Sequence, residues 1–375
     1  MSGLRIATVR LLLATVYGAI KLVTRVDERK VVFLGRRMDR LPLDFRLIIE
    51  ELQRRDPEVK VAVISKFVKG DRRETFAFLP VLLKSLYHLA TSKVCVLDSY
   101  WPAVSMLTHR RSLVVYQIWH SIGKIKQSGR QTVGRGQGWA EHVAQGMRMH
   151  DGYDYVVAGG PIWNSHYCAA FGVVPDQLLN IGLPRADYLI HEKERIATRI
   201  AETYPELMTK PIVLYVPTFR RAESASGALK LASAIDLDRF NLVIKKHETD
   251  SLLLPPEKHH VCPEFTGTQM LTVADYVITD YSSIALEAAL IDVKTYYFLY
   301  DYDHYFESNG VNIDLDLEMP GCVFRTPAEL RMALADDYPV ETLRQYKEKF
   351  LFDDPGHSTT DLVDHIVEVG ELCIR

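Results

Sequence analysis

The feature that most constrains this chain is a repeated pairing of a short apolar or β-branched run with a helical stretch. KVVFLG (30–35), VKVAVIS (59–65), KVCVLD (93–98) and SLVVYQIWH (112–120) are such runs, and DFRLIIEELQRR lies between the first two. DYVVAGG (154–160) and LLNIGLPR (178–185) continue the series. Short apolar runs bounded by turn residues read as strands buried on both faces. Alternation with helices predicts a parallel sheet covered on both sides. A charged helical stretch, HEKERIATRIAETYPELMT (191–209), then reads as a connection. A second series follows it: PIVLYVPTFR (211–220), FNLVIKKHE (240–248), ADYVITDYSS (274–283) and KTYYFLYD (294–301). The expectation is an α/β protein of two doubly wound domains with a cleft between them. Its parts are a helix at 1–27, a domain at 28–190, a linker helix at 191–210 and a domain at 211–375. No repeat of 20–50 residues and no low-complexity tract interrupts this pattern.

Composition agrees. With 375 residues, 47% hydrophobic and 25% charged, the chain has enough apolar surface for sizeable cores. A disordered tail protein, a collagen-like fibre and a small disulfide scaffold are excluded. The net charge of −3 excludes a general nucleic-acid binder. Five dispersed cysteines, odd in number and without a CxxC pair, argue for a reducing cytoplasm and against a structural zinc site. Residues 101–150 hold seven Lys or Arg and one acid, Glu141, whereas 301–320 hold six acids and no Lys or Arg. The acidic run reads as a solvated face. The basic run reads equally as a solvated face or as the seat of an anionic substrate.

Residues 4–25, LRIATVRLLLATVYGAIKLVTR, predict a helix whose longest uncharged run, Leu11–Ile20, is ten residues. That is about half of what a bilayer span needs. No small-residue cleavage site follows it. At about 100° per residue, Arg10, Lys21 and Arg25 fall within about 60° of one another, with Arg5 apart. An apolar helix with a basic stripe suits an anionic membrane interface. The other reading is a helix packed on the protein's own core, its cations in solvent.

Ligands of doubly wound sheets bind beyond the carboxyl ends of the strands, so four segments stand out. QIWHSIGKIKQSG (117–129) places His120 at a strand end, where an imidazole can act as general base. Glycines Gly123 and Gly129 admit a ligand close to the backbone, and Lys124 and Lys126 can neutralise phosphate. It is not a Walker A loop, since GxxxxGK[ST] is absent. YVPTFRR (215–221) offers Thr218, Arg220 and Arg221, and arginine's fork of donors suits phosphate. VIKKHE (243–248) delivers Lys245, Lys246 and His247. ADYVITDYSS (274–283) ends a strand at Thr279 and Asp280 and opens a helix at Ser282 and Ser283, with Glu287 one turn inside. A serine there caps free N–H groups, and a helix start is a natural phosphate seat. Each segment alone has an ordinary structural reading as a turn, a solvated strand end or a plain cap.

Taken together, WHSIGKIKQSG (119–129), NIGLPRADYL (180–189), YVPTFR (215–220), IKKHE (244–248), ADYVITDYSS (274–283), YDYDHYFESNG (300–310) and MPG (319–321) resemble the CDP-glycerol:glycerophosphate glycerophosphotransferase family of teichoic-acid synthesis. The resemblance implies a GT-B fold of two Rossmann-like domains and attachment to the cytoplasmic membrane face as a peripheral, monotopic protein. In length the chain looks more like the family's short, TagB-like priming branch than its longer polymerases. The donor implied is CDP-glycerol and the acceptor an undecaprenyl-diphosphate-linked disaccharide, with CMP released. His120, from the WH motif, is then the base. His247, with Arg220, Thr218, Lys245, Ser282 and Ser283, holds the donor diphosphate. Thr279 and Asp280 line that pocket, and Glu287 binds a polyol or ribose hydroxyl. Gly123, Lys124, Lys126 and Arg130 face the acceptor. The expected partners are these two substrates and an anionic membrane surface, not nucleic acid, with a homo-oligomer left open. No carboxylate cluster demands a metal, and DYD (301–303) reads as structural or polyol-facing; a divalent-metal requirement is left open. Many relatives carry a WHGTPLK-like segment, whereas WHSIGKIK resembles a branch with ribitol substrates, and Glu287 stands where Asp is common. CDP-ribitol-dependent ribitolphosphotransfer or a teichoic or capsule polymerase is thus the near alternative. A nucleotide-sugar glycosyltransferase of the same fold and a catalytically silent, membrane-bound precursor-binding protein are the distant ones.

Overall fold

The computed structural model describes residues 3–67, 78–218, 224–245 and 259–373. Its strands form two sheets, parallel throughout. The first holds β1 (Asp27–Gly35), β2 (Lys60–Ser65), β3 (Ser92–Leu97), β4 (Val114–Gln117), β5 (Tyr155–Val157) and β6 (Leu178–Leu179), in the order β2-β1-β3-β4-β5-β6. The second holds β7 (Ile212–Tyr215), β8 (Asn241–Ile244), β9 (Tyr276–Thr279), β10 (Lys294–Phe298) and β11 (Val323–Phe324), in the order β11-β10-β9-β7-β8. Each of the ten apolar runs contains a strand. β11 went unread because two residues carry no periodicity. Every residue of β3 is buried, as a strand covered on both faces must be.

The chain divides into two compact units. One takes Met1–Ser121, Ser128–Asp187 and Phe352–Arg375; the other takes Ile122–Gln127 and Tyr188–Leu351. The sequence pattern ran the last domain on from 211 to 375, but the final helix, Ser358–Val369, returns to the first sheet's unit. Asp187 accepts the N–H groups of Ser358 at 3.0 Å and Thr359 at 2.6 Å, which satisfies the helix's first donors from a distant residue. Arg55 pairs with Asp364 on the same helix. Gly182, at φ +73°, lets the Phe352 ring lie against the backbone, for a Cβ there would stand 2.2 Å from it.

Both sheets share a local order. β1 crosses to β2 on one side and the chain then returns to β3 on the other; β7, β8 and β9 repeat this. The carboxyl ends of β1 and β3, and of β7 and β9, are therefore the topological switch points, where crevices open.

The first helix, α1 (Gly3–Val23), is 21 residues long. Ile6, Leu13 and Tyr17 face the unit and are buried. The Lys21 ammonium donates to the Thr108 carbonyl at 2.8 Å, and Arg110 donates to the Lys21 carbonyl and, at 2.8 Å, to that of Thr24. Leu4, Leu11 and Leu22 lie about 180° around the helix from Leu13 and are 70–88% exposed.

Candidate active site

His120 stands just past the end of β4, half-buried. Its Nδ1 lies 3.0 Å from the Asp98 carbonyl oxygen, beyond β3. A carbonyl only accepts, so Nδ1 carries the proton in this contact. The imidazole is stacked with Trp119, ring centres 4.1 Å apart. Around it the switch point of the first sheet gathers residues that periodicity did not single out. Asp98 is buried, its Oδ1 accepting from Ser99 Oγ at 2.7 Å. Its Oδ2 is buried without a hydrogen-bond partner. Burial pushes its carboxyl above the usual carboxylate range, against the pull of Arg37. The Arg36 N–H donates to Ser99 Oγ at 3.0 Å. A Cβ at Gly35 would stand 3.1 Å from each Asp98 carboxylate oxygen, so glycine makes the room. The one sequence signal for this set is its position at two strand ends.

The segment after His120 is drawn into the other unit. Lys126 bridges Val311, Gln127 N–H donates to the Gly310 carbonyl at 3.0 Å, and Asn312 Nδ2 donates to the Lys124 carbonyl at 2.8 Å. Gly123 and Lys124 are buried. Burial, reinforced by Lys126, holds the Lys124 amine well below the ordinary lysine range. Arg130 lies apart from this segment, in the first unit. Its guanidinium pairs with Asp151, donates through Nε to the Met149 carbonyl at 2.9 Å, and fills the space left by Gly172. Its charge is met by a carboxylate of its own unit.

At the second switch point, Thr218 and Asp280 meet. Asp280 is fully buried, and its Oδ1 accepts the N–H of Thr218 at 2.8 Å and of Tyr281 at 2.7 Å. Thr279 is fully buried and donates its hydroxyl to the Val216 carbonyl at 2.7 Å. These groups tie the end of β9 to the end of β7. Ser282 Oγ accepts loosely from Ile284 N–H at 3.4 Å, whereas Ser283 makes no side-chain cap. The helix they open, Ile284–Leu290, has seven residues, all buried. Glu287 within it accepts from Thr268 Oγ1 at 2.8 Å, a partner invisible to local sequence. Lys245, past β8, spends its ammonium on the carbonyls of Val261 and Cys262, both at 2.9 Å, and burial lowers its pKa. Arg220, Arg221, Lys246 and His247 lie outside the described residues.

In the acidic run, Asp301 precedes the helix Tyr302–Ser308 and accepts from the Tyr281 hydroxyl at 3.4 Å. Tyr281 stacks flat on Tyr305, ring centres 3.8 Å apart. Among the described residues no group of three or more His, Cys, Asp or Glu is placed to hold a metal ion.

Two parallel sheets with polar switch points, and the motifs set on them, define a class. A family model described as CDP-glycerol:poly(glycerophosphate) glycerophosphotransferase matches residues 16–368, and the chain belongs to that family. It therefore falls among the transferases of teichoic acid synthesis, as the motif resemblance implied. It is 28% identical to the teichoic acid ribitol-phosphate primase of Bacillus spizizenii over 372 residues, covering 94% of each chain. It is 23% identical to the teichoic acid glycerol-phosphate primase of Bacillus subtilis, covering 76% of each. The structure of the wall teichoic acid polymerase TagF matches 98% of both chains with a TM-score of 0.75 at 18% identity, a likeness of fold.

Proposed function

We propose that the protein transfers polyol phosphate from a CDP-activated polyol to a hydroxyl of a lipid-diphosphate-linked saccharide, releasing CMP, on a GT-B fold. The observation that carries this is the His120 imidazole at a strand end, its Nδ1 proton given to the Asp98 carbonyl. Nε2 is then the atom that takes the acceptor's proton as its oxygen attacks the phosphorus next to the polyol. The bond from that phosphorus to the bridging oxygen breaks, and CMP leaves. Such a transfer asks mainly for positioning and neutralisation of charge. Lys126 supplies a cation for the acceptor's diphosphate, whereas Lys124, buried and held well below the ordinary lysine range, is not relied on for charge. Thr218, Asp280, Ser282 and Ser283 frame the donor side, with Arg220 and His247 as the diphosphate's charged partners.

The donor is assigned as CDP-ribitol ahead of the CDP-glycerol that the motif resemblance implied. Two observations favour this: the WHSIGKIK form of the motif, and the ribitol-phosphate primase that matches 94% of both chains. The test is CMP release from CDP-ribitol and CDP-glycerol with a lipid-linked disaccharide acceptor. Acceptor-dependent release that prefers ribitol supports the assignment, and a preference for glycerol reverses it. No release from either donor, with UDP-sugar turnover instead, overturns the phosphotransferase reading.

The same proposal seats the protein on the cytoplasmic membrane face through α1. The helix is long and apolar enough to cross a bilayer by length and composition, yet Ile6, Leu13 and Tyr17 are packed against its own unit. A helix so held lies along a surface. Leu4, Leu11 and Leu22 point away, and Leu79, Leu83 and Tyr87 of the neighbouring helix Leu79–Thr91 are also exposed. Arg10 and Arg25 flank them, which suits anionic lipid. Leu11→Asp with Leu22→Asp is expected to abolish co-sedimentation with anionic liposomes at unchanged Tm. Unaltered co-sedimentation would refute the seat.

A further inference from the structure

We propose that Gln117 is a positioning residue for the reaction: its buried side-chain amide holds Trp119 in a left-handed backbone conformation and so aims the His120 imidazole. This rests on the reading of His120 as the base. Trp119 has φ +55°, a region that a bulky L residue enters only when its surroundings impose it. The imposing contact is at hand. Gln117 ends β4, fully buried, and its Oε1 accepts the Trp119 N–H at 2.9 Å. The other end of the same amide, Nε2, donates to the Ser99 carbonyl at 3.2 Å. Both ends are thus used, one on its own chain two residues on, the other on the chain leaving β3. This fixes which end is oxygen.

The consequence runs to the imidazole. Consecutive carbonyls beyond β3 receive the two groups: Asp98 takes His120 Nδ1–H, and Ser99 takes the Gln117 amide. The Trp119 indole is wedged edge-on against Phe171 at 5.1 Å and His150 at 5.8 Å while it stacks on His120. The kink at Trp119 turns the chain so that ring and imidazole lie face to face and Nδ1 reaches Asp98. Without the amide, the strained φ relaxes, the 118–119 peptide turns over, and the imidazole leaves its carbonyl. Strain held by a buried clamp beside a reactive group is a form of pre-organisation.

The test compares wild type with Gln117→Met, which keeps the volume and removes the amide's hydrogen bonds to Trp119 and Ser99 together with its contact to the Tyr153 hydroxyl. Gln117→Glu is the conservative rescue, because a buried carboxyl in its protonated form offers the same acceptor and donor. The readouts are kcat and KM for CMP release and the imidazole 15N shifts of His120, assigned by subtraction with His120→Gln. Gln117→Met is expected to lower kcat on the order of 10²-fold with KM for the donor little changed. Its His120 should lose the signature of a single Nδ1–H tautomer. Gln117→Glu should recover both. If Gln117→Met does not fold, wild type against Gln117→Glu decides: a Glu variant that is folded yet has lost the tautomer signature overturns the proposal. So do kcat and 15N shifts unchanged in Gln117→Met. The nitrogen shifts need no substrate. If wild type releases no CMP from either donor, it is the polyol-phosphate reading that fails, and the tautomer arm still judges the clamp.

Discussion

The two switch points are built on one topology and finished in opposite ways. At the second, the buried carboxylate of Asp280 gives one oxygen to two backbone N–H groups, and the Thr279 hydroxyl closes on the Val216 carbonyl. Asp280 and Thr279 there are used in joining strand ends. At the first, Asp98 keeps an oxygen that no hydrogen bond satisfies, and the imidazole beside it is held by a carbonyl and a neighbouring indole. The comparison teaches that strand-end position selects polar residues without fixing their work. One crevice is stitched as a frame, and the other keeps polar capacity in reserve.

Three measurements would break or sharpen this contrast. The largest effect is expected at the first crevice. His120→Ala should reduce acceptor-dependent CMP release by about 10²–10⁴-fold, while Tm moves little, because the ring is only half-buried. A fall in activity matched by unfolding would put His120 in the frame instead. Next is Asp280→Ala, which strands two buried N–H donors. We expect a loss of roughly 2–4 kcal/mol in unfolding by urea, with an urea midpoint well below that of wild type. A change under about 0.5 kcal/mol, the size of an ordinary surface substitution, would undo the picture of a stitched crevice.

The smallest effect is at Asp98. Burial raises its folded pKa above the unfolded carboxyl value near 4, so the folded state binds the proton more tightly. Its contribution to stability is therefore whole below about pH 4 and is lost as pH rises through the folded value. Asp98→Asn lacks that loss. The Tm of the variant, relative to wild type, should climb between about pH 4 and pH 7. A flat difference across that window would mean that Asp98 is ionised and paired.

Much of this was legible in the residues. KVCVLD and SLVVYQIWH read as buried strands because they are short, rich in β-branched residues and bounded by turn residues. The motifs that carry the family membership sit just past them. Other features were not legible. DYVITDYSS reads as a row of ligand groups, yet Thr279 and Asp280 turn inward to the strand ends beside them. Arg130 reads as an anion-binding cation, yet Asp151, twenty-one residues on, meets its charge. Ser358–Val369 has an amphipathic face whose partner local pattern cannot name; Asp187 and Arg55 choose it.

By itself the sequence determined the alternation of strand and helix, the family motifs that lie at the strand ends, and the apolar, basic-edged first helix. These follow from periodicity and side-chain type, properties that a residue carries wherever it lies. Only the tertiary structure decided which polar groups are spent and which are held in reserve. It chose Gln117 over its neighbours as the clamp on Trp119, and it left Asp98 short of a partner. Hydrogen bonds are satisfied by what lies within about 3 Å in space, and folding brings to that distance residues that the chain keeps far apart.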